Sequence, residues 1–207
     1  MPEFLYYIIF AILGYLLGSL NFSIIIGKLF YKVDVREHGS KNAGTTNTLR
    51  TLGKVPAIFV LLLDTFKAVI AYWLVFLITK NVSYSYIGAA TAVVGHNFPV
   101  FFGFKGGKGV ATSLGACFCL NPLLGLFVLL IGVSTIAITR YVSVGSLTGS
   151  TSSILLFALF DPNPLKLILL VILTVSMYIR HHENLKRLAN HTENKISFHK
   201  KSEEKQG

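Results

Sequence analysis

Residues 110–139 read VATSLGACFCLNPLLGLFVLLIGVSTIAIT, and the division of this block decides the fold. A helix crosses the hydrocarbon core of a bilayer with about 20 apolar residues. The block is too long for one upright span. Asn121-Pro122 falls inside it. Proline disfavours helix at the residue before it and suits the first turn of a new one. The block therefore divides into a short helix, a tight turn, and a second helix ending at Arg140.

Working outward, further apolar runs cover residues 4–31, 55–79, 84–104, 142–160 and 165–179. With the division at Asn121 they make seven helices. Residues 34–54, the KGGKG segment at 105–109, Arg140 and the RHHEN segment at 180–184 then share one face. The N-terminus, the turn at Lys80, Asn121 and the Asp161-Pro162-Asn163-Pro164 turn take the other. Without the division, RHHEN would lie opposite the first two segments. Nearly all Lys and Arg fall on the first face, which the positive-inside rule makes cytoplasmic. The expected fold is an all-α integral membrane protein, a seven-transmembrane-helix bundle with its N-terminus outside and its C-terminus cytoplasmic. Residues 1–196 form one polytopic domain, and 197–207 are expected to be a disordered polar tail.

Composition agrees. The 207 residues are 53% hydrophobic and 14% charged, whereas a soluble domain is about 25% charged. Glu3 precedes the first run and no small-residue cleavage pattern follows it, so it reads as a retained helix. The net charge of +10 is gathered in a few loops and the tail. That favours anionic lipid or phosphate ligands and topology setting. Aromatics do not interleave with the charges, which argues against nucleic acid. Cys117 and Cys119 are the only cysteines. Two apart in a helix, they point in different directions and read as packing residues.

Residues 34–54, DVREHGSKNAGTTNTLRTLGK, are polar and basic between two apolar runs. Gly39 and Gly44 permit close backbone approach. Ser40, Asn42, Thr45, Thr46 and Asn47 are short hydrogen-bonding groups, and Arg36 and Arg50 bracket them with charges suited to phosphate. The stretch reads as an anion cradle or as a loop whose cations only set topology. Lys105, Gly106, Gly107, Lys108 and Gly109 at the mouth of a helix make a second cradle candidate. Their glycine spacing is not that of a Walker A loop. His181 and Asn184 fall on one helical face, and the histidine suits a donor or a base near neutral pH. Asp64 and Lys67, also on one face but deep in the apolar layer, read as an ion pair or as ligand contacts. His96 reads as an interface histidine or a site residue. Ser19, Asn21 and Ser23 form a polar stripe in the first run, suited to interhelical hydrogen bonds or to lining the site.

Other chemistries fit less well. No His precedes an Asp by five positions, no serine sits in a G-x-S-x-G elbow, and only three Asp exist, too few for a carboxylate cluster around Mg²⁺. No metal and no cofactor is expected. An organic-phosphate transporter would share a basic, glycine-rich site, but the chain shows no internal repeat and the candidate site lies at one face.

Assembled, the chain resembles the bacterial membrane family of acyl-phosphate-dependent glycerol-3-phosphate acyltransferases. The resemblance rests on REHGSKNAGTTNTLRTLGK at 36–54, GHNFPVFFGFKGGKGVAT at 95–112, and RHHENLKRL at 180–188 followed by TENKI at 192–196. It implies transfer of a fatty acyl group from acyl phosphate to the sn-1 hydroxyl of glycerol 3-phosphate, giving lysophosphatidic acid and phosphate. It implies glycerol 3-phosphate, fatty acyl phosphate and membrane lipid as partners. It also implies the bacterial cytoplasmic membrane as the location, with a cytoplasmic-facing site; a monomer is the expectation, though the sequence does not set the oligomeric state. By motif, Ser40, His181 and Asn184 match catalytic positions. Arg50, Lys108, Lys105, Gly39, Asn42, Gly106 and Gly107 match substrate- and phosphate-binding positions. The family usually has Gly where Lys41 stands and Arg where His182 stands.

Overall fold

The computed structural model describes residues 2–196, so the expected disordered tail at 197–207 lies outside the described residues. Every regular element among them is helical.

The first run, expected as one helix, is two: α1 (Glu3–Gly18) and α2 (Phe22–Tyr31). Asn21 makes the break. Its backbone is extended, and its Oδ1 accepts the N–H of Ile24 at 3.2 Å, capping α2. Its Nδ2 reaches the carbonyl of Ala43 at 3.2 Å, and Ser23 Oγ lies 2.7 Å from Thr48 Oγ1. The polar stripe is therefore interhelical glue that ties the first run to residues 34–54. Within that stretch the chain forms a short helix, α3 (Thr45–Thr51).

After α4 (Lys54–Thr79) and α5 (Val82–Asn97), Pro99 ends the third run early, and Val100–Phe102 is a single 3-10 turn. Next come α6 (Val110–Leu120) and α7 (Pro122–Thr139). They meet at Asn121, whose Oδ1 accepts the N–H groups of Leu123 and Leu124 at 3.1 and 3.2 Å. The block at 110–139 divides where Asn-Pro predicted. The chain continues through α8 (Val142–Phe160), α9 (Pro164–Arg180) and α10 (His182–Ala189), the last bent 56° from α9.

Helices stand at all seven expected positions. Among the described residues four stretches are long and apolar enough to cross a membrane: α1 with α2, α4, α7 and α8. Taking α9 with α10 makes five. The 11 residues of α6 reach only ~16 Å at 1.5 Å per residue, about half the hydrocarbon thickness. Large apolar side chains face outward along α4, among them Phe59, Phe66, Trp73 and Leu77, which suits contact with lipid.

Inside, α1 packs against α5 at glycine distance. A Cβ on Gly18 would collide with the Ala92 carbonyl, and one on Gly95 with that of Tyr15. Small residues (Ala68, Ala71, Ala89, Ala92, Val93 and Ala116) fill the core between α4, α5 and α6. Cys117 and Cys119 are free thiols, and Cys117 packs with Leu120, Leu124, Phe157 and Leu170. The loops expected on one face do converge. Arg36 Nη1 donates to the Phe102 carbonyl at 2.8 Å, Ser143 Oγ to Glu193 Oε1 at 2.9 Å, and the Ile196 N–H to the Arg140 carbonyl at 2.9 Å.

Candidate active site

Asn47 shapes the first loop. Buried at the start of α3, its Oδ1 accepts the Ser40 N–H at 2.8 Å. Its Nδ2 donates to the carbonyls of Val35 and His38 at 2.7 and 3.1 Å. Gly39 must lie against that side chain. Its φ is +58°, and a Cβ there would strike Asn47 Oδ1. Gly39 thus sets the loop's shape. Lys41 also sits in the left-handed region, at φ 57°, a conformation that glycine adopts at less cost.

The two arginines of this stretch divide their work. Arg36 is held by Asp34, Nε on Oδ1 at 3.0 Å and Nη2 on Oδ2 at 2.8 Å, and its Nη1 braces the second loop. That guanidinium beside Asp34 holds the carboxyl far below the ordinary carboxylate range. Arg36 is therefore structural, not a free phosphate ligand. Arg50 is exposed, lines the cavity, and makes no side-chain ion pair among the described residues.

At the second loop Arg180 serves the backbone. Its Nε and Nη2 donate to the carbonyls of Gly107 and Gly106 at 3.0 and 3.1 Å. Gly106 and Gly107 are buried against α5, where a Cβ on either would collide with His96. They position the loop rather than line the inner cavity. Lys108 turns inward, and its Nζ donates to Asn184 Oδ1. Burial, reinforced by Arg187, pulls its ammonium down to about 8.

His181 is the joint between α9 and α10. Its Nδ1 lies 2.8 Å from the Met177 carbonyl, which can only accept, so Nδ1 carries the proton and Nε2 holds a lone pair. Burial, then Lys108, pulls the imidazole to about 4. The ring is neutral at neutral pH, where the sequence suggested a group titrating nearby. Asn184 bridges Lys108 and Glu193, donating from Nδ2 to Glu193 Oε1 at 2.6 Å, while Arg187 Nε donates to Oε2 at 2.7 Å. Burial alone would raise the Glu193 carboxyl, but hydrogen bonds from Asn184, Arg187 and Ser143 outweigh it and hold it below its ordinary value.

Ser40, Asn42, Arg50, Lys108, His181 and Asn184 all line one cavity of about 320 Å³. Ser40 and His181 make no hydrogen bond to each other. The cavity opens past Ser40, Asn42 and Lys108 into a wide basin, where Lys105 lies. Lys105 therefore stands outside the inner cavity. At the other end Val110, Leu114, Leu129, Val133 and Ile136 lead into an apolar groove between α6, α7, α8 and α9.

The sequence profile described as glycerol-3-phosphate acyltransferase matches residues 8–191. A glycerol-3-phosphate acyltransferase of Halalkalibacterium halodurans is 45% identical over 196 residues, 91% of this chain and 95% of that one. One from Thermoanaerobacter pseudethanolicus is 44% identical, covering 93% and 96%. The chain belongs to the glycerol-3-phosphate acyltransferase family. The crystal structure of PlsY (YgiH), an integral membrane glycerol 3-phosphate acyltransferase in its glycerol 3-phosphate form, superposes with a TM-score of 0.87 at 35% identity. The match covers 92% of this chain and 96% of that one. A lysophosphatidic acid form gives 0.84. This acyltransferase is thus an all-helical integral membrane protein.

Sequence reasoning missed Ser143 and Glu193 of this acyltransferase, both cavity-lining and both bonded to the Asn184 network. Glu183, the carboxylate within RHHEN, is exposed and pairs with Lys186 and His182. The TENKI motif, which contains Glu193, was the available signal.

Proposed function

We propose that this protein transfers a fatty acyl group from acyl phosphate to the sn-1 hydroxyl of glycerol 3-phosphate, giving lysophosphatidic acid and inorganic phosphate. One observation carries the reading. A single cavity has Arg50 and Lys108 at its polar end and an apolar groove at the other, matching a phosphate and an acyl chain at once. The glycerol 3-phosphate and lysophosphatidic acid forms of PlsY support the same acceptor and product.

The hydroxyl oxygen attacks the acyl carbonyl carbon, the bond from that carbon to the phosphate oxygen breaks, and phosphate leaves with the electron pair. Phosphate is already a good leaving group, so the protein's task is placement and charge neutralisation. Arg50 and Lys108 clamp phosphate charge, and Asn184 aims Lys108. His181 Nε2 accepts the hydroxyl hydrogen bond and orients it, with Ser40 at the cavity mouth. An imidazole near 4 is a poor proton sink. A phosphate, with a second pKa of about 6, is the better one, so the proton ends on phosphate.

The proposal extends to a bacterial cytoplasmic membrane, seven crossings with the N-terminus outside, and a site facing the cytoplasm. The gathering of Arg36, Arg50, Lys105, Lys108, Arg140 and Arg180 at one end of the bundle supports that orientation. Residues 1–196 would act as one domain and the protein as a monomer. The test is purified protein in detergent with palmitoyl phosphate and glycerol 3-phosphate, following phosphate and lysophosphatidic acid. Metal-independent, glycerol-3-phosphate-dependent release of both is expected. Uptake of glycerol 3-phosphate into sealed vesicles without turnover would replace the reading with transport. Unchanged rates in Ser40→Ala and His181→Ala would refute the assigned roles.

A further inference from the structure

Asp64 and His96 form a buried wall of the same cavity, 1% and 3% exposed. Lys67 holds both. Its Nζ donates to Asp64 Oδ1 at 2.9 Å, to His96 Nδ1 at 2.9 Å and to the Leu20 carbonyl at 3.1 Å. An ammonium has three protons, so Lys67 has none left for a ligand. Its grip also fixes what its partners offer. His96 Nδ1 accepts, so the neutral ring carries its proton on Nε2. That nitrogen packs beside Gly107, where a Cβ would collide with it, and the ring borders the cavity. Asp64 Oδ1 is engaged, while Oδ2 is buried and makes no hydrogen bond among the described residues.

A buried acceptor left without a donor costs about 1–3 kcal/mol. The wall therefore presents one donor and one unfilled acceptor. A phosphate does not match it, because Asp64 repels an anion. An acyl chain does not match it, because it offers no polar group. A hydroxyl does, accepting from Nε2–H and donating to Oδ2. Resting on the acyltransferase reading, which places the reacting hydroxyl at His181 and the phosphate at Arg50 and Lys108, we infer that Asp64 Oδ2 and His96 Nε2 bind the C2 hydroxyl of glycerol 3-phosphate. They would make the enzyme selective for a glycerol backbone over other hydroxyalkyl phosphates.

The test compares kcat/KM for glycerol 3-phosphate and 3-hydroxypropyl phosphate, which lacks only the C2 hydroxyl, with palmitoyl phosphate as donor. The wild type is expected to prefer glycerol 3-phosphate at least about 100-fold, as sites built around a hydroxyl do. Asp64→Asn should cut that preference at least about tenfold. His96→Asn should do the same, because its amide reaches only the place of Nδ1. His96→Gln keeps a nitrogen at the Nε2 position and should keep the preference. If Asp64→Asn does not fold, the histidine pair decides. Equal losses on both substrates, or a wild type indifferent to the C2 hydroxyl, would overturn the inference. Absence of wild-type turnover on glycerol 3-phosphate would overturn the acyltransferase reading beneath it.

Discussion

Lys108 is held at a cost that its substrate should remove. Burial and the neighbouring cations lower its ammonium from 10.5 to about 8, a depression worth about 3 kcal/mol. Between pH 8 and 10.5 the unfolded chain holds the proton and the folded protein does not, so stability rises with pH across that window. At neutral pH the folded protein carries the charge and its full cost, until a phosphate dianion arrives to offset it. If only the protonated amine binds phosphate, the KM for glycerol 3-phosphate should be flat from pH 6.5 to 7.5. It should then climb about tenfold per pH unit above 8, reaching about 30 times its neutral value at pH 9.5. The assay is initial-rate phosphate release in detergent at saturating palmitoyl phosphate, corrected at each pH for spontaneous donor hydrolysis. Lys108→Arg, which cannot deprotonate in this range, should flatten the alkaline limb whatever its absolute rate. A wild-type KM constant to pH 9.5 would refute the assignment of Lys108 to the phosphate.

Other outcomes follow from the same contacts. Asn47→Ala removes three hydrogen bonds and should destabilise the protein by about 3 kcal/mol, read as a lower Tm in detergent. Gly39→Ala must force a side chain into the left-handed region against Asn47 and should cost about 2 kcal/mol together with most activity, whereas Lys41→Gly should leave Tm unchanged or slightly raised. Arg36→Ala should lower Tm, while Arg50→Ala should keep Tm and raise the KM for glycerol 3-phosphate about tenfold or more; the reverse pattern would exchange the roles assigned to them. Because His181 is held near 4, kcat/KM should show no histidine limb between pH 5.5 and 7, and His181 lowers stability only as the pH falls from 6.5 toward 4.

The membrane architecture was legible because its signals are local. Apolar runs of known length and the Asn121-Pro122 step give helix positions without any knowledge of packing. The break at Asn21 was harder, since an asparagine in an apolar run looks the same whether it caps a new helix or bonds across an intact one. Residues of the site were readable as types, and six of them do line one cavity. Their division of labour was not. Arg36, Arg50 and Arg180 are identical side chains in basic segments, and what separates them is which acceptors fold beside them. For Arg36 the clue was present in Asp34, two residues away. For Arg180 the acceptors are backbone carbonyls, which every residue carries, so no sequence pattern marks them.

The cavity joins a polar basin to an apolar groove, and with the proposed acyl donor that geometry bears on how its kinetics must be expressed. One reactant is counted in moles per litre of buffer, the other in molecules per unit of amphiphile. Adding detergent at constant donor would thin the second population without touching the first. The reaction would slow although every bulk concentration stayed fixed. Rates from different preparations become comparable only when donor is stated as a mole fraction of the surface that carries it.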